Sequence, residues 1–156
     1  MFRSDTITNR YETDKCIVEV EINLPQKEAA ELYADPRNNR RWMHDVARYE
    51  PLSGEEGMPG SIYRLVPKEG DMIFVATVIE RNLPDQLRLR FEASDVDVDI
   101  TGTFSSLSPT RTKLISEEVF TFKGAEEETV SSSVKEDIKR AHRQHIEDFK
   151  RFAENQ

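Results

Sequence analysis

The chain is 156 residues long, 33% of them charged, with a formal net charge of −8. This length accommodates one domain whose core buries well over half of the surface of the unfolded chain, and the free mixing of aliphatic and aromatic residues excludes a disordered chain. The negative balance excludes a nucleic-acid partner held by phosphate neutralisation, which needs clustered Lys and Arg; the largest basic group, Arg37, Arg40 and Arg41, reads as a solvated helix end.

The first six residues, Met-Phe-Arg-Ser-Asp-Thr, lack the apolar core of a secretory signal, and no later run approaches the ~20 apolar residues that span a bilayer. A cytoplasmic protein without a membrane span is expected. The first strand is predicted over 16–22, where Val18, Val20 and Ile22 alternate with Glu19 and Glu21. Cys16, the single cysteine, falls in this run and is expected to be a buried, inert thiol with no internal disulfide. Leu24-Pro25 stops the ladder, and Pro25 is suited to open a short helix that turns Ala29, Leu32 and Tyr33 inward. Asp35-Pro36 ends that helix and starts a second, which carries Trp42 and Met43.

Turn chemistry at Ser53-Gly54, Gly57, Pro59-Gly60, Glu69-Gly70-Asp71 and Asn82-Leu83-Pro84-Asp85 then cuts out strands predicted at 47–53, 61–67, 72–82, 86–93, 96–106 and 111–122. Connections this short favour antiparallel neighbours. Leu87, Leu89 and Phe91 alternate with Arg88, Arg90 and Glu92, and Val96, Val98, Ile100 and Phe104 with Asp97, Asp99, Thr101 and Thr103, so one sheet face is apolar and the other wet. The strand at 72–82 leaves its inward parity open between Ile73, Val75, Ile79 and Phe74, Ala76, Val78. The strand at 111–122 leaves it open between Leu114, Ser116, Glu118, Phe120 and Ile115, Val119. Asp95, Asp97 and Asp99 share one face without a wrapping turn, which reads as a solvated face and not a calcium site.

Glu126-Glu127-Glu128 reads as an exposed loop after Lys123-Gly124. Ser133 and Glu136 form a capping box for a long helix running to about Ala153, with Val134, Ile138, Ala141, His145, Phe149 and Phe152 on one face. The elements thus run strand, two short helices, six strands, long helix, an α+β arrangement without internal repeats.

This order and five motifs resemble the helix-grip fold of the START-like (SRPBCC) superfamily, and within it the polyketide cyclase/dehydrase and lipid-transport family. The motifs are Ile22-Asn23-Leu24-Pro25, Leu32-Tyr33-Ala34-Asp35-Pro36, Trp42, Gly57-Met58-Pro59-Gly60-Ser61-Ile62-Tyr63 and Leu83-Pro84. The resemblance spans nearly the whole chain. It implies a curved seven-stranded antiparallel sheet wrapped around the C-terminal helix, and a deep cavity between them that accepts lipids, polyketides, hormones or quinones. A sheet curved around one helix also leaves space at its open end unless large side chains fill it.

The predicted partner is therefore a small apolar or aromatic ligand, with Tyr33, Trp42, Tyr63, Phe91, Phe104, Phe120, His145 and Phe149 as the residues expected to line its site. His145 is the polar intruder on the helix face, while His142 lies on its flank and His44 in a loop, neither with a partner the sequence names. His145 and Glu118 are the candidate catalytic pair for an aldol cyclisation or dehydration, if the parity of the last strand turns Glu118 inward. There is no Cys or His cluster with zinc spacing, no Gly-rich phosphate loop and no nucleophile elbow, so no metal or cofactor is expected. A third reading is a protein-interaction module resembling the co-chaperone group of the superfamily, which predicts a filled cavity and an exposed apolar patch. The strand at 72–82 offers a surface for that patch or for a homodimer contact.

Overall fold

The structure, a computed structural model, describes residues 12–123 and 132–156. Its elements are β1 (Glu12–Ile22), α1 (Gln26–Ala34), a 3-10 turn (Pro36–Asn38), α2 (Asn39–Trp42), β2 (Val46–Ser53), β3 (Ile62–Pro67), β4 (Phe74–Asn82), β5 (Gln86–Glu92), β6 (Val96–Ser108), β7 (Arg111–Phe122) and α3 (Ser132–Glu154). The strands form one sheet in the order β1-β7-β6-β5-β4-β3-β2, every neighbouring pair antiparallel. This is the α+β arrangement, a seven-stranded antiparallel sheet with a long C-terminal helix, that the resemblance implied.

Several boundaries differ from expectation for physical reasons. β1 starts at Glu12 because the polar residues ahead of Cys16 keep their ladder with Val119–Phe122, a pairing that leaves no apolar alternation to read. Pro25 stands just outside α1, and the second helix shrinks to a 3-10 turn, whose first amides Asp35 caps by accepting from Arg37 N at 3.0 Å, followed by four α-helical residues. Ser133 lies inside α3, which begins one residue earlier; Gly124 and the acidic run Glu126–Glu128 lie outside the described residues. Met72 and Ile73 precede β4 and are exposed.

Register settles both open parities. The row Cys16, Glu118, Ile100, Leu89 and Val78 runs across five strands on the inner face, and the next row carries Phe120, Val98, Phe91, Ala76 and Tyr63. Glu118 is thus the one charged residue in its inward row. On the outer face, Asp97 is buried and not solvated as expected. It sits between Arg90 at 3.0 Å and Lys123 at 2.9 Å, and Arg90 also holds Asp99.

α1 is pinned at its start by Gln26, whose Nε2 donates to the carbonyls of Phe104 at 2.8 Å and Pro84 at 3.1 Å. It then buries Ala29, Ala30, Tyr33 and Ala34 against the sheet. The small alanines bring the helix close, so the large Tyr33 ring is carried over Gly102 of β6, where an added Cβ would stand 3.0 Å from its Cε2. At the far end Lys150 Nζ donates to Glu21 O at 2.7 Å and ties α3 to the end of β1.

The deepest residues of α3 are His142, Ile146, Phe149 and Ala153, with Asp148 also buried. The inward stripe is therefore centred beside the expected one. Phe149 is on it, Ile138 and Phe152 flank it, and Val134 and Ala141 are exposed. The C-terminal half of the helix presses on packed rings, whereas its N-terminal half spans open space.

Candidate functional site

The interior divides along α3. At one end Tyr33, Trp42, Phe104 and Phe149 make a closed cluster, with ring centroids 5.7 Å apart for Tyr33–Trp42, 5.5 Å for Tyr33–Phe104, 5.1 Å for Tyr33–Phe149 and 5.2 Å for Trp42–Phe149. Pairs at these separations add about 0.5–1.5 kcal/mol each beyond area burial. At the other end lies a cavity of about 750 Å³, walled by Leu65, Phe74, Phe91, Val98, Ile100 and Phe120 from the sheet and roofed by Ile138, Ala141, His142 and His145 from α3.

Of the eight residues predicted to line a site, the structure places Phe91, Phe120 and His145 on this cavity. Tyr33, Trp42, Phe104 and Phe149 sit instead in the ring cluster that closes its inner end, because α1 drives Tyr33 between them. Tyr63 points elsewhere too. It is buried against Tyr49, ring centroids 5.3 Å apart, and its hydroxyl accepts from Asn39 Nδ2 at 3.3 Å.

The polar groups of the cavity converge on Glu118 and two histidines. His142, expected on the flank without a partner, is fully buried, its Nε2 2.9 Å from Ser116 Oγ and 3.6 Å from Glu118 Oε2. Burial, followed by the charges of His145 and Arg143, pushes its pKa down to about 4, so the ring is neutral at pH 7. Its Nδ1 is buried without a hydrogen-bond partner among the described residues, leaving Nε2 as the nitrogen that bonds. The signal for this residue was its spacing of four from both Ile138 and Ile146, with Phe149 and Ala153 continuing the row.

Glu118 exposes 14% of its side chain and lines the cavity. Burial raises its pKa to about 7, with a smaller downward pull from His145. Burial also opposes charge on His145, yet the hydrogen bond from its Nε2 to Asp45 Oδ1 at 3.0 Å, with the charges of Asp45, Glu118 and Asp148, outweighs it and the net shift is upward. His44, on the cavity rim, pairs with the buried Asp148 at 3.3 Å. Behind the wall, burial raises the Tyr33 hydroxyl well above the usual range, against a downward pull from Ser116. Burial likewise raises the Cys16 thiol, which fits an inert cysteine.

Chemically the site offers an apolar chamber, one carboxyl poised near neutrality and one imidazole held neutral beside it. Among the described residues no group of three or more His, Cys, Asp or Glu is arranged to hold a metal ion, and no helix is long and apolar enough to cross a membrane.

The chain matches no protein-family profile, and no curated protein sequence matches it. Solved structures do. A START superfamily protein from Mycobacterium smegmatis superposes with a TM-score of 0.76 at 14% identity, covering 90% of this chain and 97% of that one. The Zhui aromatase/cyclase from Streptomyces sp. R1128 gives 0.75 at 14% identity, over 92% and 94% of the two chains. Ara h 8.0201 gives 0.73 at 11% identity, over 93% and 100%. Identities this low speak to architecture, and the architecture is unambiguous: the chain has the START-like helix-grip fold.

Proposed function

We propose that the protein binds a small, largely apolar or aromatic molecule in the cavity between the sheet and α3. The observation that carries this reading is the chamber itself: about 750 Å³ with an apolar wall and a few converging polar groups, within the roughly 300–1,000 Å³ usual for sites that enclose a small molecule. The likeness in fold to an aromatase/cyclase and to a START superfamily protein supports it. Titration with a neutral solvatochromic dye such as Nile red is expected to give saturable, blue-shifted fluorescence. Ala141→Trp, which pushes an indole into the roof, is expected to weaken binding about tenfold or more by removing volume. A linear, non-saturating response of the wild-type protein would sink the reading.

The pairing of Glu118 with His142 favours a second reading, an enzyme of cyclase or dehydratase type. Here the Glu118 carboxylate takes a proton from the carbon beside a carbonyl and, as the acid it has become, returns that proton to the departing hydroxyl, which leaves as water while the C=C bond forms. His145, the histidine expected in this role, is committed to Asp45. Unaltered mass of a β-hydroxyketone recovered after prolonged incubation would leave binding alone. The interaction-module reading required a filled cavity, which runs against the open chamber.

A further inference from the structure

We propose that the molecule taken up by this cavity is a lipophilic amine, an apolar body whose protonated nitrogen sits against the Glu118 carboxylate. The inference rests on the binding reading and adds to it the chemistry of the ligand's polar end.

Three observations carry it. Glu118 is the charged member of an otherwise apolar inward row, Cys16, Ile100, Leu89 and Val78, and it faces the chamber. Among the described residues His142 stands 3.6 Å away and is neutral at pH 7, no lysine or arginine pairs with Glu118, and the one cation that acts on it, His145, has its Nε2 hydrogen-bonded to Asp45 at 3.0 Å. A carboxylate desolvated in this way gains most from a partner that brings a positive charge and hydrogen-bond donors together. The rim repeats the sign. Asp45, Glu69, Asp95 and Asp137 surround the chamber against one lysine, Lys68; Asp45 is satisfied by His145 and Asp137 by Arg140. The walls agree, because Phe74, Phe91, Phe120 and Phe122 line the chamber and aromatic rings attract an ammonium group. A lipophilic acid would meet like charge at rim and wall.

Protonation reinforces the preference. The groups facing Glu118 are His142 and His145 from α3, Cys16 from β1 and Tyr33 from α1, and Asp45 ahead of β2 acts through His145, to which it is hydrogen-bonded. With its pKa near 7, Glu118 gives up its proton when a cation binds, so amine affinity falls as the pH drops below 7. His145, whose charged form Asp45 favours, also repels the amine as it takes up a proton at falling pH, so only a Glu118 variant separates the two.

The test is displacement of Nile red by n-octylamine, 1-octanol and octanoic acid on the intact chain. At pH 8 octylamine is expected to displace the dye at about a tenfold lower concentration than octanol, with octanoic acid weakest. Lowering the pH to 6 should cost the amine about tenfold while the alcohol is unchanged, the amine itself staying charged throughout. In Glu118→Gln the amine-to-alcohol ratio should fall to about one; being a ratio of two ligands on one protein, it is unaffected by a general loss of binding capacity. Calorimetry of octylamine binding in buffers of different ionisation enthalpy should show proton release from the wild-type protein at pH 6. Failure of the dye to bind removes the cavity reading and this inference with it. Dye binding with octanol equal to octylamine, with octanoic acid first, or with the amine preference intact in Glu118→Gln overturns the amine inference and leaves cavity binding standing.

Discussion

Glu118 and His142 are displaced in opposite directions by the same cause, burial, Glu118 up to about 7 and His142 down to about 4. The raised carboxyl contributes stability below its unfolded pKa and loses it as the pH rises through 7. The depressed imidazole contributes above its unfolded pKa and loses it as the pH falls through 4. At about pH 5.5 the unfolded chain carries both charges and the folded chain neither, so folding moves no net proton on or off the pair. The wild-type urea midpoint is expected to respond weakly to this pair between pH 4.5 and 6.5. Glu118→Gln exposes the histidine slope, a gain of up to about 1.4 kcal/mol per pH unit as the pH rises. A pH profile no steeper in Glu118→Gln than in wild type would contradict the assignment. At this scale the sequence was only half legible. Glu118 could be named but not oriented, because Ile115 and Val119 make the outer face of β7 as apolar as the inner one. His142 escaped because its partners lie on β7, distant in sequence.

Among the elements, α1 has the most consequence for its length. Its alanines let it approach the sheet, and Tyr33 then lies over Gly102 with no room for a β-carbon. Trp42, Phe104 and Phe149 hold the ring from the other sides, so it cannot move aside. Gly102→Val is expected to destabilise the protein by about 2 kcal/mol through overpacking, measured as a lowered urea midpoint with unchanged m-value. A midpoint equal to wild type would show that Tyr33 has a second resting place. The strands and α3 were readable because period-two and helical patterning are local. The division of the aromatic residues into a packed cluster and a cavity wall was not, since it depends on how far α1 carries Tyr33 across the sheet.

At the scale of the whole molecule, the fold was legible from element order together with the motifs that carry the resemblance, and likeness to solved structures with TM-scores of 0.73 to 0.76 agrees. The sheet order was not legible from patterning, because nothing in β1 announces that its neighbour is β7. That adjacency has a consequence in time. Glu12 pairs with Phe122 and Ile22 with Thr112, so the first strand waits for a partner about a hundred residues away before it gains a ladder. Local hairpins from β2 through β7 have no such delay. Refolding is expected in milliseconds to seconds, with β1 amides protected no earlier than those of β7 in pulsed hydrogen exchange; protection of β1 first would rule out this order. A carboxyl that needs β1 on one side and α3 above it is therefore among the last groups to leave water, and the chamber it serves is completed only as the chain finishes folding.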